Sequence, residues 1–148
     1  TATAEILRVI SGSPTAVEPV FQAIVQSGLR LLGGYSAILL LVRDDQFHLA
    51  AFTSTGPQGD TSVARLFPVL VAAEPLLERT VRERRPVVVE DVETEPGFTD
   101  TMRQMIRARG WRSSLQMPMV RDSGVVGLVA VPSLSGAMSA PKLFTALT

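Results

Sequence analysis

The chain has 148 residues, its 14 basic and 14 acidic side chains give a formal net charge of zero, and 46% of its residues are hydrophobic. One domain of this length can close a core of its own, its apolar fraction argues against disorder, and its balanced charge argues against a dedicated nucleic-acid binder. The absence of cysteine excludes disulfides, a thiolate nucleophile and a thioether-attached chromophore, and the single histidine excludes a site that needs two imidazoles.

The apolar runs of the sequence are too short to cross a membrane. Residues 37–42 and 125–132 fall well below the roughly 20 residues that a transmembrane helix needs. Residues 1–5 lack the basic start and apolar stretch of a signal peptide, so we expect a cytoplasmic location and no membrane contact. Because the chain begins without methionine and in mid-pattern, we also expect a fragment of a longer protein, with further signalling domains linked to it.

Two helices are predicted at the N-terminus. Residues 1–14 indicate a lead-in helix and turn, and residues 15–32 indicate a longer helix. The longer helix begins at a capping box formed by Thr15 and Glu18 and ends at Gly33. Its apolar stripe is wider than one neighbour requires, so we predict that it also contacts a second copy of the chain. The residues assigned to this dimer interface are Val17, Phe21, Ile24, Gly28 and Leu31.

A hairpin and an irregular segment follow. Residues 35–42 form a continuous apolar run that is typical of a central strand, and residues 47–53 form the returning strand. We expect residues 54–62 to be a loop because they contain two glycine turn signals. Residues 66–73 are expected to be extended, since Pro68 disfavours a helix interior there.

The middle of the chain predicts a helix, a strand and a second helix. The first helix starts at Pro75, where proline suits the first turn, and Pro86 stops it. Residues 87–89 are a short strand, which an acidic loop follows. Thr99 caps the second helix and Gly110 ends it.

A second hairpin closes the predicted domain. Residues 113–120 and 125–131 pair across a turn that contains aspartate and glycine, and residues 133–148 begin a truncated C-terminal helix. The core of the single domain therefore spans residues 15–132. Hairpins at both ends of the sequence, with helices between them, predict an α+β fold with a central antiparallel sheet of five or six strands flanked by helices.

The second hairpin and the segments before it carry a family resemblance. Residues 110–120 (GWRSSLQMPMV) and 124–131 (GVVGLVAV) resemble the closing strands of GAF domains, in which a glycine and an aromatic residue precede Arg-Ser. Residues 83–92 (ERRPVVVEDV) look like the helix-to-strand segment of the family, which ends in Asp-Val. Residues 3–32 are similar to the helical lead-in of GAF domains in bacterial sensor kinases, so the resemblance covers almost the whole chain.

The resemblance implies a GAF/PAS-like (profilin-like) fold with a small-molecule pocket between one face of the sheet and residues 54–110. Members of the family bind cyclic nucleotides, bilins, haem or small metabolites, or bind nothing and act as dimerising spacers. We therefore expect a non-catalytic sensory module of a two-component system, of the sensor histidine kinase type, that acts as a homodimer. The alternatives are a structural dimerisation module without a ligand and the GAF module of a transcriptional regulator.

No catalytic residue, metal or cofactor is expected. Bilin attachment needs a cysteine, and the Asn-Lys signature of cyclic-nucleotide-binding members has no counterpart because the chain has no asparagine. Haem ligation by His48 is the less favoured interpretation, since a lone strand histidine is more often half exposed. Alternation along its strand places this histidine opposite to Phe47, Leu49 and Ala51.

The candidate ligand-binding residues lie around the last predicted helix and strand. Two aromatic residues flank that helix, and they line the pocket or fill the core. A serine and a glutamine share one face of the strand, where they orient a ligand or face solvent. An arginine beside the tryptophan suits a carboxylate or phosphate, although ion pairs with the interleaved acidic residues are the simpler interpretation. These candidates are Phe98, Trp111, Arg112, Ser114 and Gln116.

Overall fold

The computed structural model describes residues 14–122 and 124–134, apart from the side chains of residues 14–18 and 32. The predicted lead-in helix over residues 1–14 and the C-terminal helix over residues 133–148 fall almost wholly outside these described residues. In chain order the elements are α1 (Pro14–Leu32), β1 (Ile38–Arg43), β2 (Gln46–Phe52), α2 (Pro57–Leu66), β3 (Val69–Leu70), a 3₁₀ turn (Val71–Ala73), α3 (Pro75–Glu83), β4 (Val87–Val89), α4 (Asp100–Arg109), β5 (Ser113–Arg121) and β6 (Gly124–Ser133).

The strands form one six-stranded antiparallel sheet in the order β3-β2-β1-β6-β5-β4. The first and last hairpins become neighbours because β1 pairs with β6, with Leu39 opposite Val129 and Leu41 opposite Gly127. The outermost strands are short, with two residues in β3 and three in β4. The predicted α+β fold with a central antiparallel sheet is confirmed. Among the described residues, no helix combines the length and the apolar character needed to cross a bilayer.

The two faces of the sheet carry separate apolar clusters. Along β1 the side chains alternate, so Ile38 and Leu40 contribute to one cluster and Leu39 to the other. The first cluster lies under α2, α3 and α4, and this side is called the pocket face below. The second cluster includes Phe21 and Val25 of α1, and this side is called the α1 face.

A bulge in β2 changes the expected facing of one residue. Leu39 pairs with Ala51 but Leu40 pairs with Leu49, so one extra residue of β2 has no partner in β1. Phe47 and Leu49 consequently pack on the pocket face, whereas Ala51 packs on the α1 face. The prediction that Ala51 shares a face with Phe47 and Leu49 is wrong, because strict alternation does not hold across a bulge.

A helix replaces the loop that was predicted over residues 54–62. In α2, Pro57 occupies the first turn and Gly56 before it has a φ of 107°, a conformation that favours glycine. Gly59, inside this helix, lets α2 approach α4 closely. A Cβ at this position would lie 3.1 Å from the carbonyl oxygen of Ala108. The turn signals therefore mark the start of a helix and a close contact with α4, and only β3 of the predicted extended segment 66–73 is a strand.

Helices α3 and α4 end and begin as predicted. Thr99 caps α4, since its Oγ1 accepts a hydrogen bond from the backbone N–H of Met102 at 3.2 Å. Gly110 ends α4 with a φ of 81°. Pro75 begins α3, and Arg84 ends it in the left-handed conformation.

The apolar stripe of α1 packs on the chain's own sheet. Phe21 is buried in the cluster of the α1 face, and Ile24 packs against that cluster. A Cβ added at Gly28 would lie 3.7 Å from side chains of β6. The chain's own sheet therefore accounts for the burial of Phe21, whereas Ile24 and Gly28 are only partly buried, and the dimer interface stays a prediction. Leu31 is 70% exposed, and the side chain of Val17 lies outside the described part of the chain.

Candidate functional site

A small cavity lies between the pocket face of the sheet and the helices that cover it. Its volume is about 20 Å³, which is room for about one water molecule. Strands β1, β5 and β6 form its floor, and α3 and α4 contribute its roof. No charged side chain of the described residues lines it. The lining residues are Ile38, Leu40, Phe67, Leu77, Phe98, Met102, Met105, Trp111, Ser114, Gln116 and Ala130.

The two aromatic candidates stand together at the cavity wall. Phe98 and Trp111 pack edge to face, with ring centroids 6.3 Å apart and an interplanar angle of 73°. Trp111 is 7% exposed. Its indole Nε1, a donor, has no hydrogen-bond partner among the described residues. Since buried donors are normally paired, this N–H requires an explanation.

The two polar candidates of β5 also face the cavity. Ser114 is 1% exposed, and its Oγ has no hydrogen-bond partner within the described ranges. Gln116 is buried as well, and its Oε1 accepts a hydrogen bond of 2.8 Å from the Thr80 hydroxyl. This bond connects β5 to α3. Alternation places both side chains on the same face of the sheet, as predicted, and of the two alternatives left open for that face the structure has the pocket and not the solvent.

Arg112 lies elsewhere. Its side chain is 61% exposed, and Nη2 donates a hydrogen bond of 3.1 Å to Oδ2 of Asp91. The pKa of the Asp91 carboxyl is lowered, chiefly by a hydrogen bond from the backbone N–H of Glu93 and then by Arg112. Arg107 forms two hydrogen bonds, of 3.0 and 2.8 Å, with the Glu93 carboxylate. The simpler interpretation of these arginines as surface ion pairs is thus the one that the geometry supports, and Arg112 does not line the cavity.

His48 also lies away from the cavity. Phe47 and Leu49, its neighbours in β2, face the pocket, so the imidazole lies on the opposite side of the sheet. Its Nε2 is 3.3 Å from the carbonyl oxygen of Arg43. In the part of the chain that the structure describes, no three histidine, cysteine or acidic residues gather as a metal site.

A buried arginine was missed by the sequence analysis. Arg109 is 1% exposed, and its Nη2 donates a hydrogen bond of 3.2 Å to the carbonyl oxygen of Thr53. Nη1 lies 4.0 Å from Oδ1 of Asp60, and Cζ lies 5.6 Å from the centroid of the Phe52 ring. Nε and Nη1 have no hydrogen-bond partner among the described residues. Burial lowers the pKa of this guanidinium.

Helical spacing contains the signal that identifies Arg109. Met102, Met105 and Ile106 form the buried stripe of α4, and Arg109 is the next position of that stripe, three and four residues further on. The charge of Arg109 hides this signal, because charged residues are rarely buried. Extending the pattern through the charge would have placed this side chain in the interior.

A buried carboxylate links the start of α3 to the start of α4. Glu74 precedes α3, and both of its carboxylate oxygens lie 3.2 Å from the Thr99 hydroxyl that caps α4. The pKa of Glu74 is raised from its ordinary value of 4.5, because burial outweighs the opposing effect of this hydrogen bond. Since Leu77, Phe98 and Met102 follow or flank these two helix starts, the bridge helps to hold the cavity wall in place.

The stability difference between a Glu74→Gln variant and the natural chain should shift in favour of the variant as the pH rises. A raised folded-state pKa means that the stability contributed by the protonated carboxyl is fully present below pH 4.5 and is lost as the pH rises through the folded value. Glutamine keeps an acceptor for Thr99 and does not ionise. Urea unfolding from about pH 4.5 to about pH 8 measures the effect, with Glu90→Gln, at an exposed position, as the control. A difference that is constant with pH would contradict the prediction.

A comparison with known protein families identifies one that covers most of the chain. The family model described as GAF domain matches residues 15–146. No protein with a curated description matches the chain significantly.

Solved structures share the fold. A GAF domain/HD domain protein from Geobacter sulfurreducens is 21% identical with a TM-score of 0.73, over 90% of this chain and 86% of that one. A domain assigned to a two-component sensor histidine kinase from Sinorhizobium meliloti 1021 is 17% identical with a TM-score of 0.66, over 88% and 82%. Free methionine-R-sulfoxide reductase from Neisseria meningitidis, solved with its substrate, is 17% identical with a TM-score of 0.66, over 99% and 79%.

Proposed function

The chain belongs to the GAF domain family, and from this premise we propose that it is a non-catalytic sensory module of a bacterial signalling protein of the sensor histidine kinase type. It binds a small molecule non-covalently in the cavity under α3 and α4, and it acts in the cytoplasm as a homodimer. One observation carries the ligand-binding part of the proposal. Trp111 and Ser114 line a cavity whose other lining residues are apolar except for Gln116, and their buried Nε1 and Oγ atoms have no hydrogen-bond partner among the described residues.

The central strands supply the route from the cavity to α1. Ala130 of β6 lines the cavity, whereas its neighbours Val129 and Val131 lie on the α1 face, where a Cβ added at Gly28 of α1 would be 3.7 Å from each of them. A ligand that presses on the cavity floor therefore acts on a strand on which α1 rests directly. Such a displacement becomes a signal only where the ligand binds one arrangement of α1 better than the other.

The alternative of a structural module without a ligand is favoured by the size of the cavity. A volume of about 20 Å³ admits about one water molecule, so a larger ligand has to displace side chains. Met102 and Met105 are suited to such a displacement, because the unbranched methionine side chain adapts its shape readily. Sensor kinase and transcriptional regulator differ in the output domain, which lies outside this domain.

Substitution of Ala130 by valine tests the ligand-binding role. Valine adds two methyl groups at the cavity floor, and we expect it to change the free energy of unfolding by less than about 3 kcal/mol while it abolishes ligand binding. Thermal unfolding of the natural chain with small-molecule fractions of bacterial extracts should show a rise in Tm, since a ligand stabilises the folded state by mass action. The same fractions should not stabilise Ala130→Val.

Ala50→Val is the matched control, because Ala50 is partly buried on the α1 face and not at the cavity. This variant is expected to leave the rise in Tm unchanged. A natural chain that no fraction stabilises, together with an Ala130→Val variant that is more stable than the natural chain, would instead support the structural module.

A further inference from the structure

We propose that the cavity opens between the starts of α3 and α4, and that the hydrogen bond between Thr99 and Glu74 is the latch that keeps it closed. This inference rests on the proposed function for the role of the cavity, and it specifies how the cavity is reached. The closed cavity has a volume of about 20 Å³, which admits about one water molecule. A larger ligand therefore enters only where the walls part.

The C-terminal halves of α3 and α4 are attached to the sheet. In α3, the Thr80 hydroxyl donates a hydrogen bond of 2.8 Å to Oε1 of Gln116 in β5. At the end of α4, the buried Arg109 donates to the carbonyl oxygen of Thr53, which follows β2. Each helix is also followed by a strand after only three residues, β4 after α3 and β5 after α4. Movement at these ends would therefore disturb the sheet.

The starts of the two helices are instead attached to each other. Thr99 Oγ1 lies 3.2 Å from both carboxylate oxygens of Glu74. Next to this bond, Leu76 packs on the backbone of Gly97, where an added Cβ would lie 3.3 Å from Leu76 Cδ1. Residues 90–99 connect β4 to α4, so the start of α4 has a longer connection to the sheet than its end has. These contacts form a seam that can part while the sheet stays intact.

Parting of the seam opens the wall of the cavity. Phe98 is adjacent to Thr99 in the chain and lines the cavity, and its ring packs edge to face on Trp111 with the centroids 6.3 Å apart. Leu77, three residues after Glu74, lines the cavity from α3. When the hydrogen bond between Thr99 and Glu74 breaks, Phe98 and Leu77 are free to separate, and Trp111 loses its cover.

Ionisation of Glu74 favours the open arrangement. Glu74 is 5% exposed, and burial raises the pKa of its carboxyl above the ordinary value of 4.5, against the effect of the hydrogen bond from Thr99. The other charged groups around the seam have partners of their own: Glu78 with Arg82, Asp100 with Arg103, and Glu95 with the backbone N–H of Gly97. The Glu74 carboxylate therefore has no counter-charge among the described residues and gains hydration when the seam opens. The latch weakens as the pH rises through the folded-state pKa.

Hydrogen exchange of the Trp111 indole N–H tests the latch without any ligand. Trp111 is the one tryptophan of the chain, so its indole signal in an NMR spectrum is unique. Backbone amides of Leu39 and Leu128, in the central strands, report unfolding of the whole domain. Relative to intrinsic rates, we expect the indole of the natural chain to exchange faster than these amides, and the difference to widen from about pH 5 to about pH 8.

Two variants should shift the opening in opposite directions. Glu74→Gln keeps an acceptor for Thr99 and does not ionise, so it should slow indole exchange at about pH 8 at least about fivefold and remove the pH dependence of the opening. Thr99→Asp keeps a cap for α4 but places a second carboxylate against Glu74, and it should accelerate indole exchange about fivefold or more.

The matched controls change the same charges outside the seam. Thr101→Asp adds a carboxylate at an exposed position in the same turn of α4. Glu78→Gln removes one from α3 that pairs with Arg82. Both should leave the exchange of the Trp111 indole, relative to that of the central-strand amides, as it is in the natural chain.

The contrary results concern the latch alone. If the indole and the central-strand amides change by the same factor in both variants, Trp111 is exposed only by unfolding of the whole domain, and the latch is overturned. Unchanged indole exchange in both variants overturns it as well. If Thr99→Asp does not fold, Glu74→Gln provides the same comparison. The ligand-binding role is judged separately, by the thermal unfolding of the natural chain and of Ala130→Val.

Discussion

Replacing Gly127 with alanine is expected to destabilise the fold by about 3 kcal/mol or more. Gly127 pairs with Leu41 at the centre of the sheet. A Cβ at this position would overlap the carbonyl oxygen of Leu40, and it would also lie 3.2 Å from Cα of Leu41 and 2.9 Å from Cε of Met119. Two of these three atoms belong to backbone that the β1–β6 hydrogen bonds hold, so relief requires the central strands to separate. Urea unfolding followed by the fluorescence of Trp111 measures the loss.

Gly28→Ala is the matched control for Gly127→Ala. Gly28 lies inside α1, and an added Cβ would be 3.7 Å from its nearest neighbours, which is ordinary van der Waals contact. Alanine there should leave stability unchanged or raise it by about 1 kcal/mol, since glycine is unfavourable in a helix interior. A Gly127→Ala variant as stable as Gly28→Ala would show that β1 and β6 do not approach as closely as described.

Replacing Arg109 should give opposite results for alanine and methionine. Arg109→Ala is expected to lose about 3 kcal/mol, because it leaves a cavity at a fully buried position between α4 and the end of β2. Arg109→Met keeps most of the volume and removes a desolvated charge whose Nε and Nη1 have no hydrogen-bond partner among the described residues. It should be at least as stable as the natural chain, since a buried charge is often replaced by an apolar side chain without loss.

Comparison of the two Arg109 variants separates the effect of losing the guanidinium charge from the effect of losing side-chain volume. Unfolding by urea at several salt concentrations provides the two free energies, with Arg65→Met, at an exposed position of α2, as the control for loss of a positive charge. Equal destabilisation by methionine and alanine would contradict the prediction and would mean that the guanidinium itself stabilises the fold, through Thr53, Asp60 or the Phe52 ring.

Most elements could be predicted because their apolar residues follow a regular period. Helices α1, α3 and α4 and both hairpins obey the periods of 3.6 and 2. Helix α2 was missed because only Val63 among its apolar residues is buried, together with Gly59, and because Gly56 and Pro57 resemble a turn. The bulge in β2 was missed since an inserted residue leaves the composition of a strand unchanged.

The candidate site was predictable where facing follows from alternation. Ser114 and Gln116 line the cavity because they are two residues apart in β5. Arg112 precedes that strand and points outward, so adjacency to Trp111 did not imply a shared position. Arg109 was missed because burial of a charge cannot be recognised from its residue type. The packing of part of the α1 stripe on the chain's own sheet could not be predicted from the stripe's width, because periodicity does not say which surface a stripe contacts.

The brevity of the two outer strands restricts how this domain associates with others. Strands β3 and β4 contain two and three residues, so each margin of the sheet presents few free amide and carbonyl groups to a strand from another molecule. Edge-to-edge pairing of two such sheets into one continuous sheet is therefore disfavoured. Any contact between two such domains would therefore be formed by side chains instead of by shared strand hydrogen bonds.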